Sequence, residues 1–193
     1  MLSEPIAVTL RVTEVLEALG VPYLIGGSFA SSLHGAYRMT ADSDLVADLK
    51  IVQVEPLAQA LSSDFYLDVD MIRDAIRHRS SFSLIHLQTM FKVDVFIPKQ
   101  RPYSRSQMER RTRQLISTEP EHLAYVATAE DSILAKLEWY RMGNEVSEQQ
   151  WRDIMHMIKA QSERLEVAYL RQWAAALGVA DLLEKALAEA AEG

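Results

Sequence analysis

The chain contains no cysteine in 193 residues. That excludes disulfides and thiolate metal sites, and it leads us to expect a cytoplasmic protein. No apolar run approaches the roughly 20 residues that a membrane-spanning helix needs. The opening residues, Met1-Leu2-Ser3-Glu4-Pro5, lack the basic and apolar regions of a secretory signal. We therefore expect no membrane partner. Glycine and proline are sparse, at seven and six, and no stretch is repetitive or low in complexity. A Walker A lysine motif and a Gly-x-Gly-x-x-Gly fingerprint are both missing, which argues against P-loop and kinase chemistry. His34, His78 and His86 lack zinc-ligand spacing and read as surface or packing residues.

What is present is ordinary for a globular protein: 49% apolar and 24% charged residues. The length suits one domain, or one domain with a helical appendage. A net charge of −7 argues against a dedicated, non-specific nucleic-acid binder. The charge is unevenly spread, however. Arg73 to Arg113 holds ten Lys or Arg against Asp74, Asp94 and Glu109, a local excess of +7. That segment is either a solvated basic face or a surface for a triphosphate or a polyanion such as RNA.

The most informative stretch is Val21 to Leu49. Val21-Pro22-Tyr23-Leu24-Ile25 is long enough for a buried strand, and Gly26-Gly27-Ser28 follows at once. The small residues to Gly35 can form a short helix with Ser28 as its N-cap. Strand, glycine pair and helix start together aim backbone N–H groups at an anion. Fourteen residues after Ser28 comes Asp42-Ser43-Asp44. On a strand, residues i and i+2 share a face, so the two carboxylates would project in parallel. Such oxygen pairs suit Mg²⁺, which takes one or two protein carboxylates plus substrate phosphates. Taken singly, a glycine pair is also an ordinary turn, and Asp-x-Asp an ordinary strand end or Asx turn. A third acid, Asp94, stands inside the apolar run Phe91 to Ile97. A buried carboxylate without a partner is costly, and an ion shared with Asp42 and Asp44 would remove that cost.

Gly-Gly-Ser, thirteen residues, Asp-x-Asp and a later Asp on a separate strand resemble the polymerase-beta-type nucleotidyltransferase superfamily. Arg38-x-Thr40-x-Asp42-x-Asp44 is similar to its small bacterial branch of uncharacterised and toxin–antitoxin-linked members. Glu130 to Leu137 resembles the helix that follows the core there. Ser43 departs from the apolar residue usual between the aspartates. The resemblance implies an NTP substrate, ATP or another, and Mg²⁺ or Mn²⁺ as cofactor. It further implies Asp42, Asp44 and Asp94 as catalytic metal ligands, with Asp94 accepting the proton of the attacking hydroxyl. Gly26, Gly27, Ser28, Arg38 and Lys136 are the corresponding nucleotide-binding candidates. Arg38 offers a bidentate fork for phosphate, or pairs with Asp42 or Asp44 instead. Lys136 either neutralises phosphate or is simply solvated.

The expected fold is α+β: a small mixed β-sheet flanked by helices in a core over residues 1–126, with a C-terminal helical extension over 127–193. A first helix begins at Ser3-Glu4-Pro5 and closes at Gly20. Asp48 reads as a strand-end residue. Residues 81–87 and 91–97 read as an antiparallel hairpin. Beyond Pro98 the chain reads as polar connection, then short edge strands at 115–117 and 123–126. Thr128 to Asp131 approximates a capping box, Ser147 caps the next helix, and two more helices span about 166–177 and 180–191.

The function these features point to is transfer of a nucleoside monophosphate from an NTP to a hydroxyl by two-metal catalysis. The acceptor is left open among RNA, protein and small molecule, as is the oligomeric state. Two enzymatic alternatives are a metal-dependent glycosyltransferase using Asp-x-Asp and a phosphatase with a nucleophilic Asp. The latter would want an apolar strand before Asp42, which Tyr37 to Ala41 is not. A further alternative is a non-catalytic nucleotide-binding or toxin–antitoxin partner module.

Overall fold

The computed structural model describes residues 4–36, 42–118 and 121–192. In chain order its elements are α1 (Glu4–Ala18), β1 (Tyr23–Ile25), α2 (Gly27–Leu33), β2 (Asp42–Ala47), a single 3-10 turn (Ile51–Gln53), α3 (Val54–Leu61), β3 (Phe65–Tyr66), α4 (Val69–His78), β4 (Ser81–His86), β5 (Lys92–Phe96), α5 (Pro102–Arg110), β6 (Thr112–Thr118), β7 (Glu121–Val126), α6 (Ala129–Met142), α7 (Glu148–Gln161), α8 (Val167–Leu177) and α9 (Ala180–Glu192). Contacts divide them into a sheet unit, Met1–Gly26 with Met39–Val126, and a helical unit, Gly27–Arg38 with Ala127–Gly193. Among the described residues no helix is long and apolar enough to cross a membrane.

The sheet unit holds one mixed sheet in the order β3-β4-β5-β2-β1-β7-β6. β1 is antiparallel to β2 and parallel to β7, while β2 runs parallel to β5. β1 is buried on both sides, with Leu24 and Ile25 inaccessible. In β2 and β5 buried residues alternate with half-buried ones. The buried row is Ser43, Leu45 and Ala47 on β2, with Val93 and Val95 on β5 and Phe82 and Leu84 on β4. α1 packs against β2 and β7, and α4 against β4. Each large apolar side chain so buried contributes about 1.5–3 kcal/mol. The opposite, less buried face carries Asp42, Asp44, Lys92 and Asp94.

α1 ends as expected: Gly20 takes a φ of 64°, and the Val21 N–H reaches the Leu16 carbonyl at 2.9 Å. The 81–97 hairpin also forms, with Ser83 paired to Asp94. Two expectations need correction. The basic connection after Pro98 holds a helix, α5, with Pro102 in its first turn. It is polar almost all round and buries only Tyr103 and Ser104, so no apolar stripe announces it. β7 is interior rather than an edge, because it also pairs with β1 through Ile25 and Val126.

The helical unit packs α6 on α7 and α8, and α9 on α7 and α8. Its core includes Ile133, Leu134, Leu137, Ile154, Met157, Leu170 and Leu183. Thr128 caps α6 by accepting the Asp131 N–H, and Ser147 caps α7 by accepting that of Gln150. Gly35 has a φ of 119°, and a Cβ there would meet Ala160 at 2.4 Å, so only glycine fits.

Candidate active site

The alternation of β2 and β5 fixes where the acids go. Asp42 and Asp44 share one face of β2, and parallel register sets Asp44 directly across from Asp94. Neighbouring strands lie about 4.8 Å apart, so side chains of that row are within reach of one another. β2 starts at Asp42, and Asp48 lies beyond its end, 2.6 Å from Lys50. The turn before the site is tied to it: the Gly26 N–H donates to the Asp44 carbonyl at 2.8 Å.

Asp94 is already engaged. One carboxylate oxygen accepts the Ser83 hydroxyl at 2.5 Å, and the other lies 2.7 Å from the Lys92 ammonium. The hydrogen bond that Lys92 donates to Asp94 raises the Lys92 pKa, with smaller contributions from the charges of Asp94, Asp42 and Asp44. All three carboxylates thus act on one cation. Sequence reasoning missed Lys92 and Ser83 as members of this row. Their signals were the i+2 spacing Lys92-x-Asp94 and the hairpin register that opposes residues 83 and 94.

This donor set, three hard oxygen ligands beside a protein cation, fits a divalent ion in chemistry. Among the described residues, though, no three His, Cys, Asp or Glu side chains stand grouped as metal ligands. Asp94 is turned to Lys92 and Ser83. Ser43 points to the core face, and its buried hydroxyl has no hydrogen-bond partner among the described residues.

The remaining candidates lie elsewhere in the chain. Gly27 opens α2 with a φ of 55°. Ser28 is buried within that helix rather than capping it, because the helix begins at Gly27. Lys136, in the helical unit, is buried and paired with Asp153 at 2.9 Å. Beside it on α6, Asp131 accepts the Thr128 and Tyr169 hydroxyls. Arg38 and Thr40 lie outside the described residues.

No family model and no curated protein matches the chain. Solved structures do. An antigenic nucleotidyltransferase-like protein from Paracoccidioides brasiliensis aligns with a TM-score of 0.56 and 19% identity, over 96% of this chain and 93% of its own. The antibiotic-resistance factor ANT(2'')-Ia in solution aligns with a TM-score of 0.51 and 12% identity, covering 90% and 94%. Its crystal structure in complex with adenylyl-2''-tobramycin gives 0.51 and 10%, covering 88% and 98%. The chain has the nucleotidyltransferase fold, α+β with a mixed sheet flanked by helices.

Proposed function

We propose that the protein transfers a nucleoside monophosphate from an NTP to a hydroxyl on an acceptor. The observation that carries this reading is the register of β2 and β5, which sets Asp44 across from Asp94 with Asp42 on the same face. The likeness of fold to ANT(2'')-Ia, solved with an adenylylated antibiotic, supports it at the level of architecture. In this reading the acceptor hydroxyl attacks the α-phosphorus, the α–β anhydride bond breaks, and pyrophosphate leaves. Asp94 takes the hydroxyl proton. Mg²⁺ or Mn²⁺ held by Asp42, Asp44 and Asp94 would neutralise the leaving pyrophosphate and lower the pKa of the hydroxyl. Lys92, paired with Asp94, balances part of the acidic charge. Gly26 holds the turn against β2. Gly27, Ser28, Arg38 and Lys136 are the further nucleotide-binding residues of the proposal, each open to test by substitution.

RNA, a protein side chain and a small hydroxylated molecule are the acceptor classes. In the sheet unit Arg111 and Arg113 stand over the Tyr125 ring, at 4.6 and 5.9 Å. Guanidinium on an aromatic face suits a polyanion with stacking bases, which favours RNA. One observation supports a second reading. Lys92 already supplies a cation to Asp94, as suits a non-catalytic nucleotide-binding or toxin–antitoxin partner module of the same fold.

Incubation with Mg²⁺ or Mn²⁺, labelled NTPs and cell extract, followed by mass spectrometry, separates the two. The first reading expects covalent monophosphate on a defined acceptor, and the second expects none. Asp42→Asn and Asp44→Asn are each expected to abolish metal-dependent NTP binding with the circular dichroism spectrum intact. Unchanged affinity in both variants would contradict the assignment.

A further inference from the structure

We propose that Ser83 is itself a nucleotide acceptor, so that the protein nucleotidylates its own chain beside the active site. The inference rests on the function proposed above, since it needs the same bound NTP. Ser83 is exposed on β4, and its Oγ donates to Asp94 Oδ1 at 2.5 Å. The other oxygen of Asp94 is held by Lys92 Nζ at 2.7 Å. A hydroxyl on a carboxylate that a third group orients is the arrangement of an activated nucleophile with its base.

Position in the sheet agrees with this chemistry. The strand order β4-β5-β2 sets the Ser83 hydroxyl on one side of Asp94 and Asp42 with Asp44 on the other. The reaction would need the α-phosphorus of a triphosphate at β2 to lie towards β5, and the hydroxyl hydrogen-bonded to Asp94 from the far strand is that of Ser83. Ser81 shares the exposed face but stands opposite Phe96, without a carboxylate. It is the internal control.

The step balances with the NTP alone. The Ser83 Oγ–P bond forms as the α–β anhydride bond breaks. Pyrophosphate leaves with the bonding electron pair, and the hydroxyl proton passes to Asp94. The product is a serine phosphodiester that takes the Ser83 donor from Asp94 and fills the approach to it. A modified chain is therefore closed to outside acceptors.

The test uses the full chain with Mg²⁺ or Mn²⁺ and each NTP in turn, without any acceptor. Intact mass is expected to rise by one nucleoside monophosphate per chain, and peptide fragmentation to map it to Ser83. Ser83→Ala is expected to lose the label, whereas Ser83→Thr and Ser81→Ala keep it. Metal-dependent NTP binding is measured in parallel by calorimetry. A chain that binds NTP yet stays unmodified, or is labelled elsewhere, overturns the inference and leaves the proposed function standing. A chain that binds no NTP in the presence of metal overturns both.

Discussion

Ser43 shows how one atom separates stability from chemistry on the same strand. Its hydroxyl faces the core between residues whose carboxylates face the other way, and among the described residues nothing accepts or donates to it. A buried hydroxyl left unsatisfied costs about 1–3 kcal/mol. Ser43→Ala is therefore expected to stabilise the protein by about 1 kcal/mol. Urea unfolding should show this as a higher midpoint at an unchanged slope, with NTP binding unaltered. A lower midpoint would mean that the hydroxyl is satisfied in solution. The adjoining glycines make a second contrast. A Cβ on Gly26 meets Leu24 and the Asp44 carbonyl oxygen at 3.8 and 3.9 Å, ordinary contact. Gly27 holds a φ of 55°, where an L side chain costs about 1–2 kcal/mol. Gly26→Ala should melt near the wild type, and Gly27→Ala should lose about that amount of stability.

At the scale of elements, β1 links the centre of the sheet to pH. The Tyr23 hydroxyl donates to Glu17 at 2.6 Å and accepts the Tyr125 N–H at 3.3 Å. Burial, reinforced by Glu17, holds its pKa well above the ordinary value of 10.0. The folded state thus favours the protonated phenol. Its contribution is complete below the unfolded pKa of 10.0 and is lost as pH rises past it towards the higher folded value. The stability gap between wild type and Tyr23→Phe should shrink as unfolding is measured above pH about 10. A gap constant with pH would show that the phenol titrates alike in both states. Elements such as β1, β2 and β5 were legible in the sequence because their apolar runs and alternation follow directly from burial. α5 was not, since its polar residues carry no helical stripe. The interior place of β7 was hidden as well, because it depends on pairing with a strand a hundred residues away. Within the site, the face shared by Asp42 and Asp44 followed from spacing. The opposition of Ser83 and Asp94 followed only from the register of the hairpin.

Across the whole molecule, the helical unit raises the question of what Lys136 is for. Its ammonium and the Asp153 carboxylate are about nine-tenths buried and 2.9 Å apart. Removing one partner of such a pair strands a buried charge and typically costs about 3–5 kcal/mol, while replacing both with apolar groups is often neutral. Lys136→Met and Asp153→Asn should each lower the melting temperature sharply, and Lys136→Met with Asp153→Leu should recover most of the loss. That recovered double variant separates structure from ligand binding, because the fold is restored without the cation. If Lys136 also neutralises NTP phosphates, as proposed, the double variant binds NTP about tenfold more weakly, or about 1.4 kcal/mol, despite its stability. Wild-type affinity in the stable double variant would make the pair purely structural. The acidic row on the sheet would then bind the nucleotide without help from that lysine.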